Sequence, residues 1–261
     1  MKDLEKLRQE IDDCDKELVA ILEKRMGKVL DIMEYKKEKG IPIFHQAREK
    51  EILQKVTTYL ENPGFSQEIK TIYSQILKAS RKVQSRTLFP YHISLIGFMG
   101  SGKTTIGKEL SKLLAMENID VDKVIEERMG MTINEIFQNY GETYFRKLEA
   151  ETVEEMSRYN NIIIFCSGGG IVLNHKNVEN LKRNGIVIWL QASPEEIYSR
   201  ISQENTRPLL KDSMTVEKIQ EMLGKREGLY EAAADITVCT DGKTVEEISK
   251  EIIEKLMKRL A

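Results

Sequence analysis

The chain has 261 residues, of which 41% are hydrophobic and 31% charged, with a formal net charge of -2 and a pI near 6.1. This composition is typical of a soluble protein with a sizeable core, and the charge favours neither nucleic acid nor a membrane surface as a partner. Three scattered cysteines form neither a disulfide framework nor a zinc cluster. No apolar run approaches the length of a membrane span. We therefore expect a cytoplasmic protein.

Glycine divides the chain into two parts with different local preferences. Of the 16 glycines, 13 follow residue 90. The first 89 residues are typical of helices, whereas the rest alternates short β-branched runs with helical stretches, which predicts a parallel α/β sheet. We predict two domains, at 1–87 and 92–261. Residues 88–91 form the predicted linker, in which Pro90 ends the helix.

The first predicted helix carries one apolar stripe at alternating steps of three and four residues. The stripe consists of Leu4, Leu7, Ile11, Cys14, Leu18 and Ile21. Nothing interrupts it before Gly40 and Pro42, so the helix would have about 38 residues and a length of more than about 50 Å. Such a helix cannot bury its stripe inside a small monomer, which predicts a partner chain. Two shorter helices are predicted at about 46–60 and 67–84.

Charged side chains occur on helix faces that the apolar pattern predicts to be buried. Arg25 continues the stripe, and Lys36 returns to within roughly 20° of the same face. A buried cation costs free energy unless an anion meets it. Ser80 and Gln84 share one face of the third helix because they are four residues apart. The two cations therefore predict an anionic partner.

Arg48 and Glu49 open the second helix, and with the positions above they resemble the all-helical class of chorismate mutase over about residues 1–87. The resemblance implies an all-α, three-helix domain that intertwines with a second copy into a homodimer. It also implies rearrangement of chorismate to prephenate, without a cofactor. The alternatives are a helical dimerisation module with solvated charges, and a regulatory module that senses chorismate or prephenate.

The resemblance implies a chorismate site shared between two chains. Arg8 would reach into the partner's site. The expected ligands within one chain are Arg25, Lys36, Arg48, Glu49, Ser80 and Gln84. Among these, Arg25, Lys36 and Gln84 are the expected catalytic residues, and Lys36 and Gln84 would bond the ether oxygen as its bond breaks. Glu49 would hold the ring hydroxyl, with Ser80 nearby. His45 departs from some members of the family, which have aspartate there.

The C-terminal part predicts five strands separated by helices. The strands are predicted near 92–97, 118–121, 162–166, 186–190 and 235–239. Three helix starts carry capping-box pairs. These pairs are Thr132 with Glu135, Ser193 with Glu196, and Thr244 with Glu247.

The segment from Gly97 to Thr104 fits the phosphate-binding pattern G-x-x-x-x-G-K-[ST]. It follows an apolar strand and precedes an amphipathic helix, which is the order that this loop requires. The glycines let backbone N–H groups converge on phosphate oxygens at a helix N-terminus. Lys103 would reach the β- and γ-phosphates of ATP, and Thr104 would bind Mg²⁺. The predicted ATP ligands in the loop are Gly100, Ser101, Gly102, Lys103, Thr104 and Thr105.

Three further clusters resemble the shikimate kinase family. They are Ile119-Asp120-Val121-Asp122, Ser167-Gly168-Gly169-Gly170, and Arg207-Pro208-Leu209-Leu210 followed by Arg226. The resemblance covers residues 92–261 and implies an α/β P-loop kinase with a five-stranded parallel sheet. It also implies phosphorylation of the 3-hydroxyl of shikimate by ATP with Mg²⁺.

The residue types suit that acceptor, which carries a carboxylate and several hydroxyls. Arginine forks hold carboxylates well, which suits Arg146 and Arg226. By resemblance, Asp122 holds and activates the attacking hydroxyl. Gly169 and Gly170 would let the backbone approach the ring. The expected shikimate ligands are therefore Asp122, Arg146, Gly169, Gly170 and Arg226, with Asp122 also catalytic.

Three more roles follow from the resemblance alone. Arg207 would close over the transferring phosphate on a lid, as a catalytic residue beside Lys103 and as an ATP ligand. Asp120 would help to position Mg²⁺ through water, and Arg200 would flank the adenine. A kinase for another sugar acid, such as gluconate, is the alternative, and the set of Asp122, Arg146 and Arg226 favours shikimate.

Overall fold

The computed structural model describes residues 3–41, 43–203 and 215–259. The chain divides into two compact units between Leu88 and Phe89. Neither unit contains, in its described residues, a helix with the length and apolar content needed to cross a membrane.

The N-terminal unit consists of three long helices joined by short turns. They are α1 (Leu4–Lys39), α2 (Gln46–Lys55) and α3 (Ser66–Leu88), with 3₁₀ turns at Val56–Tyr59 and Pro63–Phe65. Asp3 caps the start of α1, and Gly40 ends it in the left-handed conformation that glycine adopts without strain. The second predicted helix therefore ends as a 3₁₀ turn. The third continues four residues past its predicted end at Gln84 and ends at Leu88, two residues before Pro90.

Most of α1 has no neighbour within the N-terminal unit. Only Val29 and Met33 are buried among its 36 residues. The apolar stripe is exposed at Leu4, Ile11, Leu18 and Ile21, whose exposed fractions run from 51% to 63%. The stripe is thus a hydrophobic surface along about half of the helix.

The C-terminal unit is built on a parallel sheet, as the sequence predicts. Its strands are β1 (His92–Ile96), β2 (Glu117–Asp120), β3 (Ile162–Phe165), β4 (Gly185–Gln191) and β5 (Ile236–Cys239). In the part of the chain that the structure describes, the five strands lie in the order β2-β3-β1-β4-β5 and pair only in parallel. The central strands β1 and β3 are buried along their whole length.

Helices connect the strands and cover the sheet. They are α4 (Lys103–Leu114), α5 (Val121–Met129), α6 (Ile133–Met156), α7 (His175–Arg183), α8 (Pro194–Gln203), α9 (Val216–Gly224), α10 (Glu227–Ala233) and α11 (Val245–Lys258), with a 3₁₀ turn at Ile171–Leu173. The capping boxes at Thr132 and Thr244 form with both bonds. Ser193 accepts the Glu196 N–H at 3.2 Å. Gly141 interrupts α6 with a φ of 80°.

The topology brings three loops to one edge of the sheet, because the carboxyl ends of parallel strands share an edge. These loops follow β1, β2 and β3. They carry the glycine loop, the Asp120–Asp122 segment and the Ser167–Gly170 segment. The three clusters that the sequence singled out therefore lie side by side.

Candidate active sites

The loop after β1 has the backbone conformation that a phosphate-binding loop requires. Gly97, Gly100 and Gly102 all have positive φ angles, of 142°, 77° and 94°. A Cβ at Gly97 would lie 2.5 Å from the carbonyl oxygen of Leu190. The first residue of α4 is Lys103, so the loop ends at a helix N-terminus, where backbone N–H groups favour an anion.

Lys103 and Thr105 differ in their surroundings, although both belong to the first turn of α4. Lys103 is buried, and its Nζ donates to the carbonyls of Gly97 at 2.9 Å and Phe98 at 2.7 Å. Its ammonium group therefore lies within the glycine loop. Thr105 is exposed.

Three oxygen-bearing side chains form a line from α4 to the end of β2. The hydroxyls of Thr104 and Ser167 lie 3.3 Å apart, and Ser167 donates to Oδ2 of Asp120 at 2.6 Å. Burial raises the pKa of Asp120, and the bond from Ser167 opposes that shift. Hydroxyl and carboxylate oxygens are the ligands that Mg²⁺ prefers. Thr104 and Asp120 therefore fit a magnesium ion in chemistry and position.

Asp122 is held in place from two sides. Its Oδ2 accepts the Gly168 N–H at 2.9 Å, and its Oδ1 accepts the Cys166 thiol at 3.1 Å. Burial, followed by the charges of Asp122 and Glu149, raises the pKa of Cys166 well above its usual value. The thiol therefore stays protonated and donates, and the Asp122 carboxylate keeps one orientation.

Arg146 lies between two carboxylates on α6. Its guanidinium donates to Glu142 at 3.1 Å and to Glu149 at 3.1 Å. Glu149 is fully buried, and burial raises its pKa against the opposing charge of Arg146. Donor atoms of Glu149, Asp122 and Cys166 lie within 4.8 Å of one another. Arg146 already supplies the cation beside Glu149, so this group suits hydrogen bonding better than a metal. Glu149 is not among the residues predicted from the sequence, although it follows Arg146 by three residues on the same helix.

Arg226 and the Gly168–Gly170 turn complete this side of the site. The Arg226 guanidinium lies 5.6 Å from the centre of the Phe98 ring. Gly169 packs on the glycine loop so closely that a Cβ would lie 2.5 Å from the carbonyl oxygen of Gly97. Tyr230 donates to the Gly169 carbonyl at 2.7 Å, and burial raises the pKa of its hydroxyl to about 12.

A cavity of about 190 Å³ collects four of the five predicted shikimate ligands. The predicted residues in its lining are Asp122, Arg146, Gly170 and Arg226. Gly169 lies behind the wall, against the glycine loop. Arg200 lies beside that loop, donating to the Gly100 carbonyl at 3.4 Å and to the Thr240 hydroxyl at 3.1 Å. Arg207 lies outside the described residues.

A second cavity, of about 360 Å³, lies between the helices of the N-terminal unit. Its lining includes six of the seven predicted chorismate ligands, namely Arg25, Lys36, Arg48, Glu49, Ser80 and Gln84. Arg25 donates to the Ser80 hydroxyl at 2.6 Å. Lys36 donates to the Ile43 carbonyl at 2.7 Å, and burial lowers its pKa against the opposing charge of Glu49.

The remaining predicted ligand, Arg8, lies away from this cavity. Its side chain is exposed and pairs with Glu5 at 2.9 Å. Two cations that the sequence analysis missed also line the cavity, Lys28 and Arg81. Arg81 follows Ser80 directly, but nothing local distinguishes it from the other charged residues of α3.

The charge of the helical cavity suits a ligand with carboxylates. Five basic side chains and one acidic side chain occur in its lining, Glu49 being the acid. The side-chain oxygen of Gln84 is buried and has no hydrogen-bond partner among the described residues, so it is left for a ligand.

Comparisons with known proteins match both parts of the chain. The family model described as shikimate kinase matches residues 99–257, and the one described as chorismate mutase type II matches residues 7–85. A shikimate kinase of Caldanaerobacter subterraneus subsp. tengcongensis is 44% identical over 167 residues, which cover 64% of this chain and 96% of that protein. One of Thermodesulfovibrio yellowstonii is 43% identical over 164 residues, 63% of this chain and 94% of that protein.

Solved structures agree with the shikimate kinase match. Shikimate kinase from Acinetobacter baumannii in complex with shikimate has a TM-score of 0.62 and 32% identity. The match includes 67% of this chain and 98% of that structure's chain. Shikimate kinase from Aquifex aeolicus has a TM-score of 0.54 and 34% identity, and covers 64% and 97%.

Proposed function

The chain belongs to the shikimate kinase family, and on that premise we propose that its C-terminal unit transfers the γ-phosphoryl group of ATP to the 3-hydroxyl of shikimate. One observation carries this proposal. The turn that donates to Asp122 through Gly168 also packs on the phosphate loop through Gly169. The same turn would therefore fix the position of an acceptor hydroxyl at Asp122 relative to a phosphate in the loop.

Two arginines and one aspartate supply the contacts that shikimate needs. Arg146 and Arg226 line the cavity and would bind the carboxylate by charge-assisted hydrogen bonds. Asp122 would accept the hydrogen of the 3-hydroxyl and take its proton as that oxygen attacks. The bond from this oxygen to the γ-phosphorus forms, and the bond from phosphorus to the bridging oxygen of ADP breaks. The products are shikimate 3-phosphate and ADP.

Charge placed around the transferring group accounts for catalysis, because phosphoryl transfer depends mainly on position and electrostatics. Lys103 would bond the β- and γ-phosphates from within the loop, and Arg207 would add a second positive charge. Thr104, and Asp120 through water, would hold Mg²⁺. The ion would supply positive charge that offsets the negative charge of the phosphates during transfer. Arg200 would flank the adenine.

The N-terminal unit would rearrange chorismate to prephenate in the helical cavity. The family match over residues 7–85 supports this activity over a purely regulatory helical module. Chorismate has two carboxylates, which suit the excess of basic side chains. Lys36 would donate to the ether oxygen as the bond breaks, and Gln84 would donate to it through Nε2, which bonds the Ser80 carbonyl at 3.2 Å. Preorganised charge would then stabilise the transition state.

We expect the mutase site to be complete only in a homodimer. The exposed stripe on α1 offers a surface for a second copy. Arg8 does not line the cavity of its own chain. In the dimer, Arg8 would enter the partner's cavity, and the apolar side chains of the stripe would be buried against the second chain. A cytoplasmic location agrees with three free cysteines in the described residues.

Two assays on the whole chain test the proposal. The first measures ADP formation from ATP with shikimate, and the second measures the decay of chorismate. Lys103→Ala should abolish the first activity and spare the second, and Arg25→Ala should do the reverse. Failure of the wild type to phosphorylate shikimate would disprove the kinase assignment. If chorismate is stable but changes the kinase rate, the helical unit is a sensor.

A further inference from the structure

The helical cavity contains a contact that the proposed function does not use. Arg81 on α3 donates through Nη1 to both carboxylate oxygens of Glu49 on α2. We propose that Arg81 is a positioning residue that holds Glu49 in the orientation needed to accept the ring hydroxyl of chorismate. This inference rests on the proposed mutase activity, because it assigns a role within the same cavity.

The contact is largely withdrawn from water. The side chain of Arg81 is 14% exposed and that of Glu49 is 23% exposed. The Arg81 guanidinium also lies 5.0 Å from the centre of the Phe44 ring, which covers one of its faces. An ion pair that is partly buried and stacked on an aromatic ring keeps its geometry better than an exposed pair. The neighbouring pair of Arg48 and Glu51 shows the contrast, since both side chains are more than half exposed.

The charge of the cavity explains why Glu49 needs such a partner. Glu49 is the acidic residue in a lining that also contains Arg25, Lys36 and Arg48. A carboxylate surrounded by several cations can turn toward any of them, and each orientation offers the substrate a different set of lone pairs. The bond to Arg81 selects one orientation. Because a carboxylate has about four acceptor positions, the two bonds to Arg81 leave room for a hydroxyl.

Arg81 is distinct from the cations that would bind the substrate itself. Ser80, its neighbour in the chain, meets Arg25 at 2.6 Å. The Arg81 guanidinium instead points to Glu49 and Phe44. We infer that Arg81 contributes to recognition of the hydroxyl side of the substrate, while other basic residues are left for its carboxylates.

A double-mutant cycle on the full chain tests this role. The four proteins are the wild type, Arg81→Met, Glu49→Gln and the double variant, each assayed for chorismate turnover. Arg81→Met should lower kcat/KM about ten- to a hundredfold, as expected for loss of a charged hydrogen bond. If Arg81 acts through Glu49, the double variant should be no more than about threefold worse than the poorer single variant.

Additive losses would overturn the proposal. They would mean that Arg81 contacts the substrate directly, through its buried Nε, which has no partner among the described residues. An Arg81→Met enzyme with unchanged kcat/KM would overturn it as well. Arg81→Lys keeps the charge and one bond, so it should recover part of the loss, which a purely structural role would not predict.

Two controls separate this result from misfolding and from failure of the proposed function. Arg86→Met removes an exposed arginine from the same helix and should leave turnover unchanged. If Arg81→Met unfolds, as judged by circular dichroism, Arg81→Gln takes its place in the cycle. Turnover of chorismate by the wild type tests the function itself. If there is none, the same cycle is run on chorismate affinity by calorimetry, where coupling between the two residues still decides the inference.

Discussion

Gly170 and Arg146 are so close that a Cβ on Gly170 would lie 2.5 Å from Nη1 of Arg146. The atom that would have to move is the end of a flexible side chain, so the fold can adapt. The guanidinium would then leave the position that its bonds to Glu142 and Glu149 define. Glycine at position 170 is therefore needed for the position of the Arg146 guanidinium more than for the stability of the fold.

Gly170→Ala should accordingly weaken shikimate binding and leave the protein folded. We expect the KM for shikimate to rise roughly tenfold, as for the loss of one charged hydrogen bond. The KM for ATP should change little, and steady-state kinetics with each substrate varied in turn measures both. Gly228→Ala is a suitable control, since a Cβ there would meet no atom within 4 Å. An unchanged KM for shikimate would show that the guanidinium does not bind it.

Removal of either arginine tests the carboxylate site directly. Arg146→Ala and Arg226→Ala should each weaken shikimate binding by about tenfold or more and leave ATP binding nearly intact. Arg146→Ala should also lower stability, because it leaves the buried Glu149 without its cation. Calorimetric titration with each ligand gives the two affinities. Equal loss of both affinities would contradict the assignment.

Cys166 should act as a hydrogen-bond donor to Asp122 and not as a nucleophile. Cys166→Ser keeps a donor, so kinase turnover should stay near that of the wild type. Cys166→Ala leaves Oδ1 of Asp122 without the bond, and we expect kcat to fall about threefold to tenfold. In the wild type, iodoacetamide should label the exposed Cys239 and spare the buried Cys166. Mass spectrometry of the labelled peptides would detect the opposite pattern.

His92 should make the C-terminal unit sensitive to acid. The side chain is fully buried, and burial lowers its pKa, opposed by the bond between Nε2 and the Leu181 carbonyl at 2.9 Å. In the unfolded chain it takes up a proton near its ordinary pKa of about 6.5. Stability should therefore fall as the pH drops below about 6.5, by up to about 1.4 kcal/mol per pH unit.

Urea unfolding at pH 7.5, 6.5 and 5.5 measures this effect. Trp189, the only tryptophan of the chain, lies in β4 and reports on the C-terminal unit alone. His92→Gln should flatten the dependence on pH between 6.5 and 5.5. His175→Gln, which changes an exposed histidine, should not. An equal dependence on pH in the wild type and His92→Gln would exclude this group as the cause.

The stripe on α1 should hold the dimer. Leu18 is 51% exposed, so Leu18→Glu should cost a single chain little stability. It should convert the dimer to monomers, abolish chorismate turnover and spare kinase activity. Sedimentation velocity with both assays measures the three effects. Tyr159→Glu adds the same charge on the C-terminal unit and should leave the dimer intact. A wild type that sediments as a monomer at micromolar concentration would rule out the shared site.

Local sequence signals predicted the fold well. The strands lie within one or two residues of their predicted positions, because short β-branched runs between helices have few other solutions in a parallel sheet. Helix ends were less certain. Gln84 was the predicted end of α3, yet the helix continues to Leu88, because only the approach to Pro90 forces a stop.

The sequence by itself determined the elements and the loop chemistry, since a glycine loop before a helix, capping pairs and apolar periodicity act over a few neighbouring residues. Only the tertiary structure decided which distant side chains meet. Arg81 with Glu49, and Cys166 with Asp122, are separated by 32 and 44 residues. Such contacts depend on how helices and strands pack, and no local preference of the backbone encodes them.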